Sequence, residues 1–240
     1  MWTLAEVCRE LFVTPRPVLC LDTCELLMAI QSLKDERLQY IRAIRKLLDT
    51  FLTNPKRVAI CVTELVNLEW EQNREAVSVE AARYLESTDS RVRNIIDAAQ
   101  ILRIETDHVP PNHSGSPLIE QLNLLSDQLR RRAIPIQESS ACVQRALDRV
   151  KTKSRPSHKG MIKDSIHLEH YLELARQLKA GNYTPRCIFV SGNKDDFWAP
   201  SGQKNYSSRP HPDLADEMRT AGLEFSGDLV SALGQAGLIL

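Results

Sequence analysis

The 240-residue chain predicts an α/β fold with a mainly parallel central sheet. Two observations carry that prediction. Short apolar runs of strand length, at 18–21, 57–62 and 186–191, are separated by stretches whose apolar residues recur at helical spacing. Strands that alternate with helices fit a parallel sheet, in which each connection needs a covering helix.

Taken in order, Val18, Leu19, Cys20 and Leu21 form the first run and end at Asp22. Thr23 then opens a helical pattern through Leu26, Leu27, Ile30 and Leu33. The run 57–62 is the second strand, with Thr63 as N-cap of a helix reaching about Leu85. Helical patterns follow at 90–103, 117–132, 137–150 and 162–180, punctuated by Pro110-Pro111, Pro135 and Pro156. The run 186–191 is the third strand and leads into a polar turn, Gly192-Asn193-Lys194-Asp195-Asp196. A weaker fourth strand, 222–225, is entered from a helical stretch at 212–221. No internal repeat or low-complexity stretch occurs. The chain reads as a single domain over 1–240, with 105–160 a helical elaboration of modest apolar content.

Composition narrows the function. With 31 Lys+Arg against 31 Asp+Glu, no global field exists to hold a polyanion, which excludes a polybasic nucleic-acid binder. No two of the 9 glycines are placed as G-x-G, so neither a dinucleotide fingerprint nor a Walker loop can form. The 6 cysteines form no C-x-x-C pair, and four sit in apolar runs, as small buried hydrophobes do in a reducing compartment. Neither a signal peptide nor a membrane span is apparent, so a cytoplasmic location is expected.

The carboxylates are more informative. Asp22 ends a buried strand and Asp195-Asp196 follow another, at the strand ends where α/β sites form. An Asp before Thr at such a junction is also an ordinary helix cap. On a helix, Asp164 falls within about 80° of Leu168, Tyr171, Leu172, Ala175 and Leu178. The helix dipole alone also accounts for an acid in that first turn. Glu69 clusters with Leu65, Val66 and Ala76 within about 60°, whereas Glu64 points about 140° away, making Glu69 the inward candidate. If Asp22, Glu69, Asp164 and Asp196 converge, they cannot all stay ionised without cations, and Mg²⁺ or Mn²⁺ is the natural counterion. Phosphodiester hydrolysis uses such an arrangement most directly, through water activated by the carboxylate-bound ion.

These residues resemble the PIN-domain nucleases. The segment from Val18 to Thr23 is similar to that family's opening strand and first acid, and Val62 to Glu69 to its second strand and helix. Gly160 to Ser165 resembles the stretch bearing the third acid, and Ile188 to Phe197 the last. The commonest ending, T-x-D-x-D, is not met, because Asn193 stands where its first acid would be. The N-x-x-D-F ending fits Asn193, Asp196 and Phe197, which puts the fourth acid at Asp196 with Asp195 as the alternative. The resemblance implies a Mg²⁺- or Mn²⁺-dependent endoribonuclease on a three-layer α/β/α sandwich, often dimeric, with Asp22, Glu69, Asp164 and Asp196 as metal ligands. Toxin, RNA-maturation and defence roles share this chemistry, and a toxin or defence effector brings an inhibitory antitoxin-like protein or a defence partner. A PIN-like binding or assembly module without catalysis is the alternative, and a phosphatase of small phosphate esters a more distant one.

For substrate binding, 149–163 carries six basic residues, Arg149, Lys151, Lys153, Arg155, Lys159 and Lys163, and no acid. Its Pro and Gly suggest a mobile loop beside Asp164, so Arg155, Lys159 and Lys163 are candidates for RNA phosphates, with Ser191 and Asn193 from the polar turn. A solvated loop without a partner is the plainer alternative. Aromatic residues are only 5% of the chain, so base stacking is not its main device, and Trp198 reads as packing. His167 and His170 have a zinc-compatible i, i+3 spacing but lack a third ligand nearby. No G-x-S-x-G occurs, no cysteine pairs with a base, and the run after Leu21 lacks the second Asp of a phosphatase D-x-D.

Overall fold

A computed structural model describes residues 1–104, 117–199 and 209–238. Its centre is a parallel sheet of β1 (Val18–Leu21), β2 (Ala59–Thr63), β3 (Ile134–Ile136), β4 (Cys187–Val190) and β5 (Glu224–Ser226), in the order β3-β2-β1-β4-β5. In register, Cys20 stands beside Cys61 on one side and Phe189 on the other. Strands β1, β2 and β4 are buried at every residue, which is why they read as continuous apolar runs instead of alternating ones.

The two faces carry separate apolar cores. Leu19, Leu21, Ile60, Val62, Ile188 and Val190 pack under α2 (Thr23–Gln31), α3 (Leu38–Thr53), α4 (Glu64–Ile101), α5 (Leu118–Arg132) and α10 (Leu229–Gln235). Val18, Cys20, Ala59, Cys61, Cys187 and Phe189 pack under α1 (Leu4–Val13), α6 (Ser140–Thr152), α7 (Lys163–Ala180) and α9 (Pro212–Ala221). The result is the three-layer α/β/α sandwich. A short helix, α8 (Lys194–Phe197), follows β4. No helix among the described residues is long and apolar enough to cross a membrane.

Several elements depart from the sequence expectation. The helices expected at 63–85 and 90–103 are one helix, α4, of 38 residues. No Gly or Pro interrupts it. Thr88, in the polar stretch that resembled a break, bonds back to the Tyr84 carbonyl at 2.9 Å and stays helical. No strand was expected around Pro135, yet β3 pairs with β2, and the proline is accommodated because β3 is the sheet's edge. Residues 117–160 thus supply a strand as well as helices, while Pro110-Pro111 and the rest of 105–116 lie outside the described residues. Helices α1, α3 and α10 were also not anticipated. The signal for α3 was present in Tyr40, Ala43, Ile44, Leu47, Leu48 and Phe51, all buried at i, i+3 and i+4 spacing.

Topology fixes the site. From β1 the chain works outward through β2 to the β3 edge, then returns to place β4 on the other side of β1. The chain therefore leaves the adjacent strands β1 and β4 in opposite directions, opening a crevice at their carboxyl ends.

Helix α4 is held to its neighbours through Trp70, which is fully buried, donates from Nε1 to Ser126 Oγ at 2.8 Å and lies under the Arg130 and Arg74 guanidinium groups. Truncation to Ala is expected to cost about 3–5 kcal/mol of stability, read by chemical denaturation. A loss below about 1 kcal/mol would show that α4 is anchored elsewhere.

Candidate functional site

Asp22 follows β1 directly and is almost fully buried. Its Oδ1 accepts from the Thr23 amide at 2.7 Å, so it caps α2, and its Oδ2 accepts from Ser191 Oγ at 2.6 Å. The capping role and the site role therefore coincide in one carboxylate. Ser191 lies just past β4, so this hydrogen bond spans the crevice between β1 and β4.

Thr63 ends β2 and caps α4, accepting from the Val66 amide at 3.3 Å. From that start the helix brings Glu69 back over the strand ends, while Glu64 reaches away to the Glu138 amide at 3.5 Å, as helix geometry implies. Glu69 Oε2 accepts from Thr23 Oγ1 at 2.6 Å and lies 3.1 Å from His167 Nε2, and Lys163 Nζ lies 3.2 Å from Oε1. An ionised carboxylate can only accept, so His167 donates to it from Nε2, and its Nδ1 lies 2.7 Å from Thr63 Oγ1. Burial by itself would raise the Glu69 pKa. The hydrogen bonds from His167 and Thr23, the His167 charge and Lys163 together bring it down to about 2.

Asp164 sits in the first turn of α7, and Asp196 in α8. Asn193 Nδ2 links them, donating to Asp196 Oδ2 at 2.9 Å and reaching Asp164 Oδ2 at 3.4 Å. Asp164 is pushed up to about 7, first by burial and then by the Asp22 charge; Asp196 and Glu69 add to the rise and His167 opposes it. Asp196 faces inward, its side chain 14% exposed and 3.4 Å from His158 Nδ1, whereas Asp195 is 78% exposed and pairs with Lys159 at 3.1 Å. Of the two alternatives for the fourth acid, Asp196 is the one beside Asn193 and Asp164.

Two neighbours of the site were not singled out for it from sequence. His167 had been weighed only as a zinc ligand with His170. It lies three residues after Asp164, about 60° away around α7, so helix spacing already put the two on one side. His170 turns elsewhere, accepting from the Ser139 amide at 2.8 Å and donating to the Ile166 carbonyl at 2.7 Å. Glu25, the second neighbour, is buried in α2. Its Oε2 accepts from Tyr40 Oη at 2.5 Å and from the Leu229 amide at 3.1 Å. Burial pushes its pKa up to about 7, aided by Asp22 and Asp228 against those two hydrogen bonds. Its signal was a lone acid inside the apolar stretch that starts α2.

The basic stretch is not a uniform mobile loop. Arg149 and Lys151 belong to α6, and Arg149 binds Glu169 at 2.6 Å and Glu217 at 2.5 Å. Arg155 Nη1 donates to the Asp195 carbonyl at 2.5 Å, Lys159 pairs with Asp195 and Lys163 with Glu69. Two of the three candidate phosphate ligands, Arg155 and Lys159, are thus drawn onto the acidic turn, and the third, Lys163, onto Glu69 of α4.

All the acids of the cluster offer oxygen, and Asp164 is raised first by burial and then by the neighbouring carboxylates, a donor chemistry that fits a hard divalent cation. Among the described residues no three His, Cys, Asp or Glu side chains stand together at metal-binding spacing. Lys163 and the Asn193 amide supply the local positive partners.

Fold and site define a class: a doubly wound parallel α/β protein with an acid cluster at the sheet's switch point. Residues 19–197 match the family model of the PIN domain, and the chain belongs to the PIN-domain family. Comparison with curated proteins and with solved structures gives no significant match.

Glu25 makes stability pH-dependent. Its folded pKa of about 7 lies above the ordinary 4.5, so its contribution is complete below about pH 4.5 and is lost as pH rises through 7. Glu25→Gln keeps an acceptor for Tyr40 and Leu229 and removes the ionisation. The variant should gain on the wild type by on the order of 1–3 kcal/mol between pH 5 and 8 in thermal or urea unfolding. A difference that does not vary with pH would contradict a buried carboxyl titrating there.

Proposed function

We propose that the chain is a Mg²⁺- or Mn²⁺-dependent endoribonuclease that hydrolyses RNA phosphodiesters. The observation that carries this reading is the gathering of Asp22, Glu69, Asp164 and Asp196 at one sheet end, where burial and then the other three charges raise Asp164. Membership of the PIN-domain family, whose members are nucleases in general, supports it.

In this reading Asp22, Asp164 and Asp196, with Glu69, hold the divalent ion. When bound, it offsets negative charge developing on the phosphate and makes water more acidic. The remaining residues position. Ser191 fixes Oδ2 of Asp22, Asn193 orients Asp164 and Asp196 toward one another, and Thr23 and His167 hold Glu69 ionised. Lys163 balances Glu69 and sits where an RNA phosphate would approach, while Arg155 ties α8 down through the Asp195 and Asp196 carbonyls. Cysteines buried as small apolar residues support a reducing, cytoplasmic setting.

One observation favours a second reading, a PIN-like binding module without catalysis: Glu69 is already satisfied by Lys163, Thr23 and His167, and the described acids form no ready three-ligand group. Calorimetric titration with Mn²⁺ separates the two. Specific uptake lost in Asp164→Asn supports the nuclease, and no uptake by the wild type supports the module.

Asp22→Asn keeps a helix cap and removes the charge. It is expected to lower Mn²⁺-dependent cleavage of single-stranded RNA roughly a hundredfold or more with the fold intact by circular dichroism. Asp195→Asn should change cleavage by less than about threefold, since Asp195 points to solvent. Equal cleavage by wild type and Asp22→Asn would exclude the carboxylate mechanism.

A further inference from the structure

A cavity of about 480 Å³ opens beside the acids, between the turn before α3, the start of α10 and the segment Gly192 to Trp198. We propose that it is a nucleotide subsite, which takes one base of single-stranded RNA against Trp198 and that nucleotide's phosphate on Arg37 and Lys194. The proposal rests on the nuclease reading and names where the strand flanking the cleaved bond lies.

Position comes first. Gly192 lines the cavity and adjoins Ser191, whose hydroxyl holds Asp22. A Cβ at Gly192 would come within 3.1 Å of the buried Glu25 Oε1, so the missing side chain lets this wall of the cavity pack closely on α2. The volume lies within the ~300–1,000 Å³ of small-ligand sites and suits one nucleotide.

The lining has the matching chemistry. Trp198 is only partly buried, and its Nε1 donates to the Ser191 carbonyl at 2.9 Å, which fixes the indole relative to the acid cluster. Lys194 Nζ lies 5.4 Å from its ring centre, joining a stacking surface to a cation. Met28 and Val230 add apolar wall. A chain with 5% aromatic residues cannot stack a run of bases, but one placed indole serves one base.

Charge decides the direction of the strand. Lys159 and Arg155 are engaged by the acidic turn and Lys163 by Glu69, whereas the Arg37 guanidinium has no ion-pair partner among the described residues. Its backbone is fixed by Arg37 N to the Ser32 carbonyl at 2.7 Å and by Tyr40 N to the Arg37 carbonyl at 2.8 Å. The acid in the wall, Asp228, is committed to capping α10 through Ser231 N at 2.7 Å and Ser231 Oγ at 2.9 Å.

The test uses the full chain carrying Asp22→Asn, so that RNA is not cut, and a fluorescein-labelled single-stranded RNA of about 12 nucleotides followed by anisotropy. Trp198→Ala and Arg37→Ala should each weaken binding about tenfold, with Trp198→Phe retaining most of it. Arg37→Ala should also reduce the slope of log Kd against log salt by about 0.7, the signature of one lost phosphate contact, which a structural defect would not give. Arg37 lies in a turn and makes no side-chain bond among the described residues, so this variant answers the question even if Trp198→Ala misfolds. Unchanged affinity and slope in Arg37→Ala, with unchanged affinity in folded Trp198→Ala, overturn the subsite. In that event Asp22-dependent cleavage by the wild type leaves the nuclease reading standing. Conversely, binding that depends on Arg37 and Trp198 in a wild type that cleaves nothing keeps the subsite and removes the nuclease.

Discussion

The hydrogen bond from Ser191 to Asp22 joins the carboxyl ends of β1 and β4, the two strands whose onward connections part. A carboxylate at that point, nearly inaccessible to water, is tolerable only with donors on both oxygens. Thr23 supplies one as the first amide of α2, and Ser191 the other from the turn after β4. Each donor is set by a strand end, so the parallel register of β1 and β4 and the start of α2 are locked to the same atom pair. The polar turn after β4 inherits its position from this bond, and with it Asn193, Asp196 and Trp198.

Around that point one cluster of charges drives two carboxyls in opposite directions. Glu69 and Asp164 share neighbours, yet Glu69 is held ionised down to about 2 and Asp164 is raised to about 7. The difference lies in partners. Glu69 receives three donors, from Thr23, His167 and Lys163, which outweigh its burial. Asp164 has a long contact to Asn193 and faces Asp22 and Asp196, so burial and repulsion prevail. A site that leaves one acid undercompensated has capacity for further positive charge, which supports the divalent-ion reading.

Neutral overall charge conceals a division of labour. On the far face, Arg145 and Arg149 enclose the buried Glu169 and extend to Glu173 and Glu217, tying α6, α7 and α9 together. Cations that form a run in sequence are thereby divided in space, some into structure and others onto the acids of the site, Arg155 and Lys159 at the turn after β4 and Lys163 at Glu69. Arg37, which lines the same cavity as Trp198, has by contrast no ion-pair partner among the described residues.

By itself the sequence determined the layers and the acids. Buried parallel strands must be apolar throughout and must be joined by helices, so β1, β2 and β4 were legible, as were Asp22 at a strand end and Glu69 rather than Glu64 by helical angle. Much of the helical scaffold was less legible: α3 carried its pattern but no strand-end residue that drew notice, and Ser and Thr inside α4 imitated a break while bonding back along the helix. Only tertiary structure decided which of Asp195 and Asp196 faces Asn193, that His167 serves Glu69, and that Glu25 is buried against Tyr40 and the α10 amide. The reason is physical. Periodicity reports which side of one element faces inward, but hydrogen-bond partners and carboxyl ionisation depend on groups that the chain supplies from as many as 204 residues away.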